Sequence, residues 1–435
     1  MSVPASSAAA ARERRPRILA IRRDNIGDLV CTTPLIAALR ERYPGGHIAA
    51  LVNTYNEAVL AGNPDVDAVY AYEKGKHRGE ARSIVSVYAA RLRLIMTLRK
   101  ERFDYAILAT PGFAPRSLRL ARLVGARHVL GYTEPGKAHS RLDIALPYDR
   151  EAKAHEVEQV FGLLKALGIK GPAPATRVFP DPGERRDVEQ ALSRLGHGTP
   201  VIGVHVSARR GNQQWPAENF AALIRGIARL HSARFLLLWA PGEADNPAHP
   251  GDDDKARAVV ESCAEAPVLP WPTEALSRLI AALSLCDCVV CADGGAMHLA
   301  AALGKSILCF FGDSPPERWR PWKTPHELLL KLGGALAMLL SSVLTVIQWS
   351  QGPITGSALT KAMTFLVLNI VLGGSLWIAS VVMRRNVMNG AIVAAVVSVI
   401  LIWFGDQPGL IGGIVGVLGA IVGAASPYLP WSRNK

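Results

Sequence analysis

A single carboxylate stands between an apolar run and a helical pattern near the start of the chain. The run "ILAI" leads into "RRDNIGD", which ends at Asp28, and "LVCTTPLIAALRERYP" follows. Asp is favoured at helix N-termini, so Asp28 can serve as a cap. If its carboxylate faces a cleft instead, it can take a proton from a bound hydroxyl as a general base. The position fits both roles, which differ in where the side chain points.

A glycine-rich turn in "ADGGAMHLAAALG" provides a second candidate site. An apolar strand ends at Ala292, and Asp293, Gly294 and Gly295 lead from it into a helix. Glycine lets a ligand approach the backbone closely, and the free amides of a helix start attract phosphate. Asp293 would then lie beside the group that the phosphate carries, such as a sugar. By itself, however, Asp-Gly-Gly at a strand end is often only a turn.

The loop in "VHVSARRGNQQWPAENF" is the third candidate. Ser207, Arg209 and Arg210 can donate hydrogen bonds to a diphosphate, and the arginines can do so in a bidentate manner. Arginines in loops are more often simply solvated.

No metal site is expected. The cysteines of "CDCVVC" lack the second ligand pair of a zinc site and are typical of a buried strand, where Cys packs as a small hydrophobic residue. The acidic run "GDDD" is interpreted as a solvated loop and helix start rather than as a cation site.

Short apolar runs alternate with helical patterns over the first three quarters of the chain. This rhythm predicts an α/β fold with parallel sheets covered by helices. The Pro-rich stretch "KGPAPATRVFPDPGE" interrupts it, after which it restarts with "PVIGVHV". We therefore predict two Rossmann-like domains, residues 17–170 and 171–326, with ligands at the carboxyl ends of their strands. Residues 1–16 lack the apolar core of a signal peptide and are expected to form a disordered arm.

The composition changes sharply at residue 327. Only eight Asp, Glu, Lys or Arg residues occur in 327–435, although the 435-residue chain has 49 Lys and Arg and 36 Asp and Glu. Four apolar stretches in this part are each near the ~20 residues that cross a bilayer. Trp349, Trp403, Tyr428 and Trp431 lie at their ends, as in an aromatic belt. An all-α, four-helix transmembrane segment is predicted.

The positive-inside rule gives this segment an orientation. Arg384 and Arg385 separate the second and third spans, and Arg433 and Lys435 follow the fourth, so both ends of the segment are expected in the cytoplasm. The predicted location is the inner membrane, multi-pass, with cytoplasmic domains and C-terminus. The spans carry no internal charged residue or histidine, which favours an anchor over a transporter. A fusion of two unrelated sequences is also left open.

The chain is basic, with a net charge of +13. Such a charge suits nucleic acid, an anionic membrane surface or a phosphorylated substrate, and a merely solvated Arg-rich surface accounts for it equally well. Since no pattern of interleaved aromatic and basic residues is found, nucleic acid is not expected as a partner.

Taken together, the three motifs resemble glycosyltransferase family nine, the ADP-heptose:lipopolysaccharide heptosyltransferases. The resemblance runs from about Arg17 to Pro325. It rests on "RRDNIGDLVCTTPLIAALRERYP", "GVHVSARRGNQQWPAENFAALI" and "CADGGAMHLAAALGKSILCFFGDSPPERWRPW". It implies a GT-B fold of two Rossmann-like domains. The activity it implies is inverting transfer of a heptose from a nucleotide sugar to the inner core of lipopolysaccharide.

The resemblance also implies roles for individual residues. The family's base lies in the Gly-Asp of the first turn, here Asp28, and its sugar-binding Asp corresponds to Asp293. The amides of Gly294, Gly295 and Ala296 would face the diphosphate, and His298 joins the expected donor site. The implied partners are a nucleotide sugar, ADP-heptose, as co-substrate, a lipid-linked core oligosaccharide as acceptor, and membrane lipid. No further cofactor and no metal are implied.

One departure from the family pattern affects the donor site. Close relatives carry Lys two residues before the Trp of the Trp-Pro pair, where this chain has Gln213. Arg209 or Arg210 can supply the missing cation; otherwise the donor or acceptor differs. Two alternatives therefore remain. One is a catalytically impaired, nucleotide-sugar-binding membrane protein, and the other is a small transporter-like module fused to a glycosyltransferase domain.

Overall fold

The computed structural model describes residues 15–72, 84–134, 141–208, 213–243, 251–312 and 314–330. The predicted N-terminal arm lies outside these residues except for its last two. Beyond Leu330, the segment with the four predicted spans also lies outside them, as do Arg209 and Arg210. No helix among the described residues is both long and apolar enough to cross a membrane.

Six parallel strands form the first sheet, in the order β3-β2-β1-β4-β5-β6. Its central strands are almost wholly apolar and buried, as expected for a parallel sheet with helices on both faces. The strands are β1 (Arg17–Ile21), β2 (His47–Asn53), β3 (Ala68–Tyr72), β4 (Tyr105–Leu108), β5 (His128–Thr133) and β6 (Ile144–Pro147).

The first half has five α-helices among its described residues, and two short 3₁₀ helices, 57–60 and 162–167, accompany them. The α-helices are α1 (Ile26–Val30), α2 (Thr33–Arg42), α3 (Ile84–Lys100), α4 (Pro115–Val124) and α5 (Glu156–Phe161).

The second half repeats this architecture. Its sheet has the order β12-β11-β10-β7-β8-β9, and the pairs from β11 through β9 are parallel. Numbered within the half, this is again the 3-2-1-4-5-6 order of a Rossmann fold. The strands are β7 (Val201–His205), β8 (Arg234–Trp239), β9 (Val268–Pro272), β10 (Cys288–Ala292), β11 (Ser306–Phe311) and β12 (His326–Leu330). The helices are α6 (Pro182–Ser193), α7 (Ala217–Leu230), α8 (Asp253–Ser262), α9 (Leu276–Ser284), α10 (Gly295–Ala302) and α11 (Pro316–Trp319).

The prediction of two parallel Rossmann-like sheets is thus confirmed, and the Pro-rich stretch between them has no regular structure from residue 171 to residue 181. The cysteine-rich run also lies where it was expected, because Cys288–Ala292 is β10, a central strand. Gly203 on the neighbouring β7 leaves room for the Cys286 sulfur: a Cβ at position 203 would lie 2.7 Å from that Sγ. Cys286 is therefore a packed core residue.

One predicted boundary needs correction. The second Rossmann-like domain was predicted to end at residue 326, but β12 continues to Leu330 and lies beside β11 at the edge of the second sheet. The compact unit that contains both sheets extends to Leu329. This strand completes the second sheet.

Candidate active site

A large cleft opens where the two halves face each other. Its volume is about 1950 Å³, and its walls come from the ends of β1, β7 and β10 and from the helices that follow these strands. Both halves contribute predicted site residues to this one cleft: Asp28, Ser207, Gln213, Asp293, Gly294, Gly295, Ala296 and His298. Ligands of open parallel sheets bind at this edge of the strands.

Two helix starts, one from each half, meet at the floor of the cleft. A side chain on Gly27 of α1 would collide with the ring of His298 on α10. Across the same contact, a Cβ on Gly295 would lie 3.2 Å from the Cβ of Ile26. Glycine at both positions lets the helices approach closely enough to place Asp28 and the glycine-rich turn in one cavity.

Asp28 is not the N-cap of its helix. Asn25 has the extended backbone of the cap, and Asp28 occupies the third helical position of a capping box. Its Oδ2 accepts hydrogen bonds from the backbone N (2.9 Å) and the side-chain Nδ2 (3.0 Å) of Asn25. The prediction of Asp28 as the cap is therefore wrong, although its Oδ2 supports the helix start. Its carboxyl also lines the cleft, and its role as a general base stays a prediction.

Arg22 keeps Asp28 ionised. Burial raises the pKa of the Asp28 carboxyl, but the Arg22 guanidinium and the hydrogen bonds from Arg22 and Asn25 outweigh burial, so the pKa lies below its ordinary value. Nη2 of Arg22 lies 2.7 Å from Oδ1 of Asp28. At neutral pH the carboxylate can thus accept a proton, as a general base must.

A buried ion-pair network connects Asp28 to the second half. Nη2 of Arg22 also donates to Oε1 of Glu156 (2.8 Å), while Oε2 of Glu156 accepts from Nε (2.9 Å) and Nη2 (2.8 Å) of Arg318 on α11. Arg22 and Glu156 are only 2% and 1% exposed. Each buried charge therefore has a charged partner, as burial in a protein interior demands.

The chain after β11 crosses back to the first half at this network. His155, the N-cap of α5, accepts from the amide of Val157 through Nδ1 and donates from Nε2 to the carbonyl of Arg320 (2.8 Å). The indole of Trp322 packs at a tilt against the His155 ring and donates to the carbonyl of Pro174 (2.9 Å). These contacts fix α11, and with it Arg318, against the start of α5.

The glycine-rich turn places a helix start at the cleft. Gly294 is the N-cap of α10, and as a glycine it has no side chain that could cap the amides that follow it. A Cβ at Gly294 would meet nothing within 4 Å, so the backbone is open to a ligand. Unsatisfied amides at the positive end of a helix form a favourable site for a phosphate group.

Gln213 occupies the position at which relatives were expected to carry Lys, and it contacts the second predicted site carboxylate. Its Nε2 donates to Oδ2 of Asp293 (2.9 Å), and Asp293 itself is 6% exposed. The neutral amide holds this carboxylate in place but adds no positive charge to the cleft. The arginines proposed to supply that charge, Arg209 and Arg210, lie outside the described residues.

Two histidines in the cleft wall are neutral. Burial lowers the pKa of His205 and of His298 to about 4 each, with a further contribution from Lys255 at His205 and from His155 at His298. His298 lies edge-on to Trp319 and 3.8 Å from the sulfur of Cys31. Ser207 is a further wall residue, whose hydroxyl accepts from the amide of Ala240 (2.9 Å).

Arg22, the ionic partner of Asp28, and the two further members of this ion-pair network were not predicted. Arg22 stands in the quoted motif "RRDNIGD", and its position at the end of β1, before a carboxylate, was an available signal. No such signal marked Glu156 or Arg318. Glu156 lies 134 residues from Arg22 in the sequence, and Arg318 lies 162 residues from Glu156. Only the fold brings them together.

Comparison with known proteins identifies similar proteins of one family. A model of glycosyltransferase family 9 (heptosyltransferase) matches residues 91–333. Lipopolysaccharide heptosyltransferase 3 of Escherichia coli is 24% identical over 301 residues, which cover 68% of this chain and 83% of that protein.

Solved structures share the fold. The glycosyl transferase family 9 protein of Veillonella parvula superposes with a TM-score of 0.62 at 22% identity, over 75% of this chain and 88% of the other. The E. coli heptosyltransferase WaaC with ADP gives a TM-score of 0.58 at 19% identity, over 72% and 93% of the two chains.

Proposed function

The chain belongs to glycosyltransferase family 9, and from this premise we propose that it transfers a heptose from ADP-heptose to the inner core of lipopolysaccharide, with inversion at the anomeric carbon. The observation that carries the proposal is that an ionised carboxylate, Asp28, and the glycine-rich helix start at Gly294 line the same cleft. The names of the similar proteins, a lipopolysaccharide heptosyltransferase and a heptosyltransferase solved with ADP, support this choice of donor and acceptor.

In the proposed reaction Asp28 accepts the proton of the acceptor hydroxyl. The hydroxyl oxygen attacks the anomeric carbon of the heptose from the face opposite the diphosphate. Its new bond forms as the bond from the carbon to the phosphate oxygen breaks, and the diphosphate leaves with that electron pair. The carbon passes through an oxocarbenium-like state. Arg22 holds Asp28 in its charged form until the proton arrives.

The helix start of α10 stabilises the leaving diphosphate. The amides of Gly294, Gly295 and Ala296 point their positive ends toward the developing charge, where fixed dipoles need no reorganisation. Asp293, positioned by Gln213, binds hydroxyls of the donor sugar. No group of residues suited to holding a metal ion occurs in the described part of the chain, and the steps above use none.

We further propose that residues beyond Leu330 anchor the enzyme in the inner membrane, with the catalytic domains in the cytoplasm. The length of the apolar stretches and the placement of Arg384 and Arg385 support this location. The anchor would hold the cleft near a lipid-linked acceptor.

The test of the proposed function is a transfer assay with the full chain in mild detergent. ADP-heptose and a panel of other nucleotide sugars are offered with deacylated core oligosaccharide, and the glycosylated product and released nucleotide are measured. We expect product with ADP-heptose and an inverted anomeric linkage. Donor binding without transfer or hydrolysis for every sugar would contradict the proposal.

One observation favours the alternative of an impaired binding protein: Gln213, not a cation, contacts Asp293. A Gln213→Lys variant separates the two functions. If the missing charge impairs the enzyme, the variant raises turnover several-fold above a parent that binds donor but transfers slowly. If the parent already transfers efficiently, Lys at this position pairs with Asp293 and gives no such gain.

A further inference from the structure

Two helices of the first half form an unusually basic surface. The helices α3 and α4 together carry seven Arg and Lys residues and no Asp or Glu. Four of their cations lie on α3: Arg91, Arg93, Arg99 and Lys100. A block of like charge on packed helices repels itself, and it attracts an extended surface of the opposite sign.

Large apolar side chains are exposed within the same surface. Leu92 is 62% exposed, Met96 52% and Leu123 46%, and these are three of the six large exposed hydrophobic residues in the described part of the chain. Leu92 and Met96 are four residues apart, so they lie on one face of α3. The cost of leaving them in water is unexplained by the packing of the first half.

Arg99 brings the three apolar side chains together. It follows Met96 by three residues, on the same face of α3, and its Nη1 donates to the carbonyl of Leu123 at the end of α4 (3.3 Å). Arg93 lies next to Leu92 and is also exposed. We call Leu92, Arg93, Met96, Arg99 and Leu123 the basic apolar face.

This face adjoins the cleft. The side of α3 next to it, with Arg91 and Leu98, and the side of α4 with Arg119 and Leu123 line the cleft wall of the first half. A partner bound to the basic apolar face would thus lie at the rim of the cavity that contains Asp28.

We propose that the basic apolar face docks onto an anionic lipid bilayer. Apolar side chains flanked by Arg on a helix surface are the features by which proteins bind at the headgroup level of membranes, with the apolar groups among the acyl chains and the cations on lipid phosphates. The link to a lipid-linked acceptor rests on the proposed function, whereas the docking itself does not. Docking would present the cleft rim to the bilayer from which such an acceptor projects.

The test uses the full chain with a fluorophore of environment-sensitive emission on a Leu92→Cys variant. Five of the six native cysteines are buried and Cys288 is partly buried, so the labelled parent serves as blank. The matched control is Glu189→Cys, at an exposed position of α6 in the second half. Each protein is mixed with phosphatidylcholine vesicles, with or without phosphatidylglycerol, that contain a lipid-attached quencher.

We expect the probe at position 92 to shift to the blue and to be quenched several-fold more with anionic than with neutral vesicles, while the probe at position 189 changes little. A double variant Arg93→Glu and Arg99→Glu, combined with the probe, should abolish the preference for anionic lipid, as should high salt. Equal quenching at positions 92 and 189, or no effect of charge reversal, would overturn the proposal.

Other binding partners of the basic apolar face would change the emission of the probe at position 92 under different conditions. A shift without vesicles that grows with protein concentration would assign the face to a second copy of the chain. A shift caused by deacylated core oligosaccharide alone would assign it to the acceptor. Either result would overturn the membrane assignment.

An activity measurement connects the face to catalysis. A double variant Leu92→Asp and Met96→Asp should lower turnover on vesicle-embedded acceptor several-fold and leave turnover on deacylated acceptor unchanged. If the parent shows no transfer at all, the proposed function fails while the probe result still decides whether the face binds lipid. Equal loss with both acceptors would contradict the docking role.

Discussion

At the scale of single residues, the role of Asp28 depends on which of its interactions an amide can replace. Asp28→Asn retains one oxygen, so it can accept from either Arg22 or Asn25 but loses the negative charge. We expect turnover to fall about a hundredfold or more, as is typical when a general base is removed. We also expect a stability loss of roughly 2 kcal/mol from the weakened charged hydrogen bonds.

The measurement is steady-state turnover with a melting curve of the same preparation. Asn25→Ala is the control, because it removes the cap and one hydrogen bond to Asp28 but leaves the carboxylate. Turnover near that of the parent in a folded Asp28→Asn variant would restrict Asp28 to support of the helix start.

The two buried histidines make the fold sensitive to acid. His205 and His298 have a pKa of about 4 in the folded protein and about 6.5 when unfolded. The unfolded chain therefore binds more protons below pH 6.5, and stability present above that pH is lost progressively down to pH 4. Between pH 7 and pH 5 we expect each histidine to contribute a loss of roughly 2 kcal/mol.

Denaturant melts at both pH values test this expectation. His205→Asn should lose less stability on acidification than the parent, whereas His231→Asn, at an exposed position, should behave like the parent. If the His205 variant and the parent lose equal stability, the neutral state assigned to His205 is wrong.

At the scale of elements, the two glycines of the cleft floor should respond differently to the same substitution. Gly27→Ala forces α1 and α10 apart, because its methyl group would meet the His298 ring. We expect it to lower stability, by about 1–3 kcal/mol for an overpacked contact. Gly294→Ala has open space and an extended backbone, so it should fold normally.

The methyl group of the Gly294→Ala variant would, however, lie in the space proposed for the diphosphate. The expected result is weaker binding of ADP by Gly294→Ala at unchanged melting temperature, which calorimetric titration and a melt measure together. Normal ADP affinity in this variant would place the phosphates elsewhere in the cleft.

The ion-pair network is a second property of elements, because Arg22 directly follows β1 while Glu156 lies on α5 and Arg318 on α11. Glu156→Ala leaves Arg22 buried without one of its charged partners, and breaking such a buried pair costs about 3–5 kcal/mol. Glu158→Ala, on the same helix but exposed, removes only a capping hydrogen bond and should cost about 1 kcal/mol. Denaturant melts compare the two. Similar losses would mean that the network adds nothing beyond helix capping.

Sequence patterns predict the features that depend on neighbouring residues and miss those that depend on contacts between distant elements. The alternation of apolar runs and helical patterns is a local property, and it predicted both sheets, the helix start near Asp28 and the turn at Asp293. The cap was misplaced because Asn25 and Asp28 both favour helix starts, and only backbone geometry distinguishes them. The contact of Gly27 with His298 depends on how two distant helices pack, which no local pattern records.

At the scale of the whole molecule, the position of the domain end has a direct consequence. Composition placed the start of the membrane segment at residue 327, since an edge strand and the start of a membrane helix can be equally apolar over a few residues. The fold decides between them, because β12 pairs with β11. The catalytic part therefore extends past Glu327, and the family match continues to residue 333.

Two truncations test this boundary and the proposed anchor together. A chain that ends at Gly333 retains β12, so we expect it to unfold cooperatively and to transfer sugar to deacylated acceptor like the full chain. A chain that ends at Glu327 loses most of β12 and exposes the edge of β11, and its melting temperature should fall by several degrees. With vesicle-embedded acceptor, the chain that ends at Gly333 should transfer sugar more slowly than the full chain. The reason is that a tether raises the local concentration of acceptor without a new contact in the site. Equal rates of the full chain and the chain that ends at Gly333 on vesicles would argue against an anchoring role of residues 334–435. Equal melting temperatures of the chains that end at Gly333 and at Glu327 would argue against β12 as a stabilising strand.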